Sequence, residues 1–249
     1  VKIAIGTRFF GKDPDKDLPR LDKWAEGAIS VTDPELISIA INSAEDKADT
    51  AGFLAKKYPT INAIPVTPWG KFVFPLNVLI AKASSAHADA FLITSAEYPP
   101  SKKAVDALAS HLKRVDGDHT LVVGARIPEH AFRKGSIDHA DGTQVPYNTY
   151  ALYSPLIYRL GVPLIGDNPG DPANAGVEEL TTILLYQEFY AQVTAKLLDQ
   201  VPGIPSEINT AGWDEERHSK HRAKMASKAS RPAEQLKVLK HAGPRVIHI

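Results

Sequence analysis

The apolar positions of this chain change period several times, and each change marks an element. Val1–Gly6 is small and β-branched and predicts a buried strand. Thr7–Pro19 is polar, with Gly11 and two prolines, and predicts a loop. Leu21, Trp24, Ala25 and Ala28 recur at helical spacing within Leu21–Ile29. Glu35–Ile41 predicts a second strand, stopped by the polar run Asn42–Asp46. Asp46–Tyr58 predicts a helix with Ala51, Leu54 and Ala55 on one face and Pro59 beyond its end. Ile61–Val66 is a short strand, Leu76–Ser84 a helix and Ala90–Thr94 a third strong strand. Ser101–Arg114 predicts a helix behind Pro99-Pro100, and Thr120–Arg126 a fourth strand.

The second half is less regular. Pro128–Gln144 is polar, and Thr149–Arg159 fits a strand or a helix equally. Val162–Gly166 predicts a short strand and Asp167–Gly176 a loop. Val177–Gln200 predicts one long helix, with Leu180, Ile183, Leu184, Gln187, Val193 and Leu197 on a face. Strands alternating with helices define an α/β protein with a Rossmann-type, mostly parallel central sheet. Ligands of such sheets sit at the carboxyl ends of the strands. Here those ends are Gly6-Thr7-Arg8, Asn42–Asp46, Thr94–Glu97 and Arg126, polar or charged at each place.

Composition narrows the chemistry. The 249 residues include no cysteine, which excludes disulfides, thiolate zinc sites, Fe–S clusters and a cysteine nucleophile. No apolar run approaches the roughly 18 residues of a spanning helix. The strand pattern starts at Val1, so no leader peptide is expected; the expected compartment is the cytoplasm, with peripheral membrane contact left open. The net charge is zero, but from Trp213 onward nine Lys/Arg face four acids. This gives a +5 tail on a −5 body, and divides the chain into a domain over 1–212 and a basic, helical extension over 213–249 packed on or near it.

The order of the strand-end motifs resembles the family 2 glycosyltransferases, which have the GT-A fold. The first strand of that family ends in P-T-[YR]-N, where this chain has Gly6-Thr7-Arg8-Phe9. The second ends in an Asn/Asp-rich stretch facing the nucleotide base, matched by Asn42-Ser43-Ala44-Glu45-Asp46. A glycine-rich turn and an A-R-N helix start are matched by Gly70-Lys71 and Pro75-Leu76-Asn77. Thr120–Arg126 looks like the V-V-G-x-R strand, Asn148–Asp167 like the acceptor side, and Gly176-Val177-Glu178-Glu179 like the G-x-E-D start of the helix bearing the base. The likeness covers roughly residues 1–200. It implies transfer of a sugar from a nucleotide-diphosphate donor, with inversion. It also implies donor contacts at Thr7, Arg8, Asn42, Asp46, Asn77, Ser95 and Glu97, and a catalytic base at Glu179 or its neighbour Glu178.

The family's metal-binding D-x-D is replaced by Ser95-Ala96-Glu97. Mg and Mn favour several oxygen ligands, and Glu97 is the one carboxylate left. Either Glu97, the diphosphate and water hold a divalent cation, or no metal is used and Lys/Arg neutralise the phosphates. The second alternative fits the tail, because Arg217, Lys220, His221 and Arg222 can fold over the strand ends, and a guanidinium fork suits phosphate. Arg217 and Arg222 are therefore added to the donor contacts.

Each of these residues also has a plain structural role open to it. Asp46 can start a helix, Arg8 can pair with a carboxylate, Asn77 can cap, and Glu178 and Glu179 suit a first helical turn. His218 and His221 have i, i+3 spacing but lie among cations that repel a metal. Two other readings stay open: a non-catalytic GT-A-like binding protein without its metal site, and a nucleotidyltransferase. The Gly6–Lys12 segment lacks the dense glycine spacing of the latter. The tail has few aromatics and is interrupted by Pro232, which argues against an anchor for nucleic acid or anionic membrane. Donor sugar, acceptor and oligomeric state are not encoded in these patterns.

Overall fold

A computed structural model describes residues 1–69, 73–112, 119–125, 133–138, 144–149, 156–159, 193–198, 201–202, 214–219 and 246–248. The chain opens with β1 (Ile3–Phe9), α1 (Pro14–Ile29), a 3-10 turn (Pro34–Leu36), β2 (Ile37–Asn42), α2 (Thr50–Lys57) and β3 (Asn62–Val66). It continues through α3 (Val73–Ser85), β4 (Ala90–Ile93), α4 (Lys102–Ser110) and β5 (His119–Ala125). The remaining strands are β6 (Arg133–Asp138), β7 (Gln144–Thr149), β8 (Leu156–Arg159), β9 (Val193–Leu198) and β10 (Val246–His248). Eight strands form one sheet in the order β10-β9-β5-β8-β4-β1-β2-β3. All pair in parallel except β8, which is antiparallel to both β4 and β5.

β1 lies between β2 and β4, so both its edges are paired, and helices cover both its faces, α1, α2 and α4 on one side and α3 on the other, which explains its nearly unbroken apolar run. Alternate residues feed two cores. Ile5, Ile39 and Leu92 pack with Leu21 and Trp24 of α1, Leu54 of α2 and Leu108 of α4. Ala4, Ala40 and Phe91 point the other way, onto Leu76, Leu79, Ile80 and Ala83 of α3. The α3 stripe sits at the i, i+3, i+4, i+7 spacing read from the sequence.

The structure corrects several boundaries. The expected loop Thr7–Pro19 holds the last turn of strand pairing, to Phe9, and the start of α1. Its prolines misled: Pro14 is the first residue of α1, where its fixed φ suits a helix and its missing N–H costs no bond. Asp13 caps that helix, accepting from the Asp15 N–H, and Pro19 is carried inside it. α2 starts at Thr50 rather than Asp46, and its cap is Asp49, at φ 50°, which accepts from Gly52 N–H at 3.1 Å. Asp is one of the few residues that adopt this left-handed conformation readily. Asn77 lies within α3, past its first turn, so it is not a cap.

In the second half, the polar stretch Pro128–Gln144 contains β6, which pairs antiparallel with β7 as a separate two-stranded sheet. The ambiguous Thr149–Arg159 yields the strand β8. The long helix over Val177–Gln200 is overturned at its end, because Val193–Leu198 is β9, parallel to β5. Val193, Ala195 and Leu197 alternate with Thr194 and Lys196, a period of two that a helical reading of Val193 and Leu197 passes over. The Val162–Gly166 strand and positions 177–192 lie outside the described residues. Of the basic tail, 215–219 is a short helix and Val246–His248 joins the sheet beside β9. No helix among the described residues is long and apolar enough to cross a membrane.

A polar brace ties α1 to α2. Lys57 Nζ meets both Asp22 oxygens at 2.5 Å, and the Tyr58 hydroxyl donates to Asp22 Oδ1 at 2.6 Å. Burial pushes the Asp22 carboxyl up, but hydrogen bonds from Lys57 and Tyr58 outweigh it and hold the pKa below the usual carboxylate value. A depressed folded pKa stabilises above the unfolded value of about 3.9 and is lost as pH falls through the folded one. The brace is partly exposed, so Asp22→Asn is expected to lower stability by about 1 kcal/mol or less at neutral pH. Urea unfolding of the two proteins should show that gap closing as pH drops below about 4; a gap that persists in acid would contradict the ionic origin.

Candidate functional site

The carboxyl ends of β1 and β4 open onto one cleft of about 520 Å³. Arg8, Phe9 and Phe10 reach it from β1 and the residue beyond, Ser95, Ala96 and Glu97 from the turn after β4, and Asp214, Glu216 and Arg217 from the tail. α1 adds Asp17 and Arg20, and the loop before it adds Lys12. Four cations and four carboxylates thus line the same space. Sequence reasoning named Arg8, Ser95, Glu97 and Arg217, and the structure brings those four together.

The turn after β4 is held by its own backbone. Thr94 is buried, and its hydroxyl donates to the Tyr98 carbonyl at 2.6 Å, while Tyr98 N–H donates to the Ser95 carbonyl at 2.8 Å. Ser95 Oγ accepts from Glu97 N–H at 3.3 Å. Burial, then the charge of Glu97, raises the pKa of Tyr98. This frame aims Glu97 at two guanidinium groups: Arg217 Nη2 lies 2.5 Å from Glu97 Oε1, and Arg20 Nη1 lies 3.7 Å from the same oxygen. Arg20 is itself positioned by Asp17 at 2.9 Å and by the Phe9 ring, 5.6 Å from its Cζ. Asp17 also accepts the backbone N–H groups of Lys12 and Asp13 at 2.8 and 3.0 Å. On the tail, Asp214 Oδ1 accepts from Arg217 N–H at 2.7 Å, fixing the start of the 215–219 helix.

Other expected donor contacts lie elsewhere. Thr7 is 1% exposed within β1, and its hydroxyl makes a long contact of 3.4 Å to the Arg8 carbonyl. Asn42 ends β2 and is buried, with its side-chain oxygen lacking a partner among the described residues. Asn77 sits in α3. None of these three, nor Asp46, lines the cleft. Glu178, Glu179 and Arg222 lie outside the described residues. The missed charged contributors are Lys12, Asp17, Arg20, Asp214 and Glu216. The signal for Asp17 and Arg20 was present: an Asp-Pro helix start at Asp13-Pro14 puts them at i, i+3 near the strand ends.

Asp46 works between loops. Its Oδ1 accepts from Gly11 N–H at 2.7 Å and from the Thr50 hydroxyl at 2.6 Å, and its Oδ2 accepts from Thr50 N–H at 2.8 Å. Gly11 returns its carbonyl to Lys47 and Ala48 N–H at 2.6 and 3.1 Å. The approach is so close that a Cβ on Gly11 would overlap the Ala48 side chain. Asp46→Ala removes three bonds to a charged acceptor, and the site is half-buried. Its expected cost is about 2 kcal/mol, read from the urea midpoint; a loss under about 0.5 kcal/mol would show that the two loops hold without it.

The donor set among the described residues does not suit a divalent cation. Among the described residues no three His, Asp or Glu side chains converge closely enough to hold a metal ion. The Glu97 oxygen nearest the cleft's cations already has Arg217 in contact with it and Arg20 close by. Mg and Mn take near-octahedral oxygen shells, which this arrangement does not supply.

No family model matches the sequence, and no curated protein matches it. Solved structures do. The fold is similar to that of glucosyl-3-phosphoglycerate synthase from Mycobacterium tuberculosis, with Mn2+, UDP and glucosyl-3-phosphoglycerate bound, at 11% identity and TM-score 0.54 over 92% of this chain and 79% of that one. It is also similar to S. aureus TarS 1-349 in complex with UDP, at 11% identity and TM-score 0.50 over 93% and 71%. Against other TarS structures the chain spans 54% of TarS 1-349 and 43% of the longer chain. These neighbours are GT-A-type glycosyltransferases, and the shared architecture is the mostly parallel, helix-flanked sheet. At such identity the likeness establishes the α/β GT-A-like fold.

Proposed function

We propose that this chain is a glycosyltransferase that moves a sugar from a nucleotide-diphosphate donor to a hydroxyl acceptor, with inversion. The observation that carries the reading is the cleft at the carboxyl ends of β1 and β4, lined by Arg8, Lys12, Arg20 and Arg217. This is where an open parallel sheet places its ligands. In the reaction, the bond between the anomeric carbon and the diphosphate oxygen breaks as the acceptor oxygen bonds to that carbon. The acceptor proton passes to a carboxylate base, for which Glu179, with Glu178 beside it, is the candidate. The nucleoside diphosphate leaves with added negative charge, which cations at the cleft stabilise.

The neighbours' complexes with UDP and Mn2+ support a nucleotide donor in general and leave a divalent cation open. The test is binding and turnover of UDP-GlcNAc, UDP-glucose and GDP-mannose, with nucleoside diphosphate release as the readout. Binding with release supports a transferase. Binding without release, for every acceptor class offered, favours the non-catalytic binding protein that the altered D-x-D segment also allows. Binding of none of them sinks the donor-site reading.

A further inference from the structure

We infer that guanidinium groups, Arg217 and Arg20, meet the charge of a nucleoside diphosphate at this cleft, and that such ligands bind there without a divalent cation. The inference rests on the donor-site reading above and specifies the chemistry of that site. Its basis is the placement of Arg217. The residue comes from the tail, 120 positions from Glu97 in sequence, and meets that carboxylate at 2.5 Å. Arg20 approaches the same oxygen at 3.7 Å from the opposite element, α1.

Two consequences follow from charge and geometry. A cation on Glu97 Oε1 would sit beside both guanidinium groups, which repel it, and Arg217 already occupies one of that oxygen's lone pairs. The same two groups suit a diphosphate, because a planar fork donates two parallel bonds to phosphate oxygens. Glu97 is a counter-ion to these arginines, and a bound phosphate competes with it for them. Arg20 arrives prepositioned, bonded to Asp17 and stacked on Phe9. Asp17 is satisfied within its own loop and helix, so it does not draw a cation into the cleft.

Calorimetric titration of the full chain with UDP and GDP, once in EDTA and once in manganese, tests this. The affinity in the two buffers should agree within about threefold. Arg217→Ala should weaken binding by about tenfold, the scale of one charge-assisted hydrogen bond. Glu97→Gln should tighten it severalfold, because the competing carboxylate is gone. A metal ligand at that position predicts the opposite, so this variant separates the two chemistries even if Arg217→Ala perturbs the tail. Binding that requires manganese and vanishes in Glu97→Gln overturns the inference and leaves the donor-site reading standing. Binding in EDTA that neither Arg217→Ala nor Arg20→Ala weakens also overturns it. Failure of both nucleotides in both buffers overturns the inference together with the reading beneath it.

Discussion

Replacing Phe91 by alanine should destabilise the protein by about 3–5 kcal/mol, the scale for removing a large aromatic from a closed core. Phe91 is fully buried in β4, and its ring lies under β1 against α3. The partner of that ring is the absence of a side chain. A Cβ on Gly6 would stand 2.7 Å from Phe91 Cζ and 3.3 Å from Leu79 Cδ1, so Gly6 gives up its side chain to the space that the ring fills. Gly6→Ala alone should therefore cost about 1–3 kcal/mol by overpacking. The two changes relieve one another, since an alanine at 91 opens the room that an alanine at 6 needs. A double-mutant cycle in urea should give a coupling of at least about 1 kcal/mol. Additivity within about 0.5 kcal/mol would show that ring and glycine do not share one space. The pair matters for function because β1 and β4 together carry Arg8 and Glu97 to the cleft, and Phe91 and Gly6 set the height of one strand's side chains against the helix below.

This pairing also shows what the sequence could reveal. The strands β1, β2 and β4 and the helix α3 were legible, because each has a strong period and buries it. Gly6 read as the end of a strand, whereas it lies in the middle of β1: a glycine chosen for close packing carries the same letter as one chosen for a turn. The same limit applied to Pro14, a helix start that read as a loop. β8 stayed open between strand and helix, and β9 was hidden, for another reason. The strand state of each is decided by pairing with β5, a partner far away in the chain. At the site, Glu97 and Arg217 were legible as charges at a strand end and in a basic tail. Their contact joins residues that no local pattern connects. Asp46 shows the converse. Its position after β2 suggested a ligand contact, and its oxygens are engaged by Gly11 and Thr50.

On the proposed transferase reading, with Glu179 as the base, Glu179→Gln should lower the rate of sugar transfer by about 10²- to 10⁴-fold, the usual contribution of a positioned general base. A sugar hydroxyl is a poor nucleophile at neutral pH, so its proton must leave as the new bond forms. Glutamine keeps the size and polarity of glutamate and removes only the proton acceptor. Donor affinity, read by calorimetry with UDP or GDP, should then change by less than about threefold, which locates the loss in kcat rather than in binding. The wild-type rate should fall in acid as the base is protonated, and that limb should disappear from the residual rate of the variant. Glu178→Gln supplies the control. Both residues follow Gly176, and each would favour the first turn of a helix by its charge alone. A purely electrostatic contribution would make the two variants alike, each costing a few tenths of a kcal/mol in stability and little in rate. A base at Glu179 makes them differ by at least about 50-fold in kcat. Equal and small effects at both positions would move the search for the base to another carboxylate, and the four acids already at the cleft, Asp17, Glu97, Asp214 and Glu216, would be the first to replace.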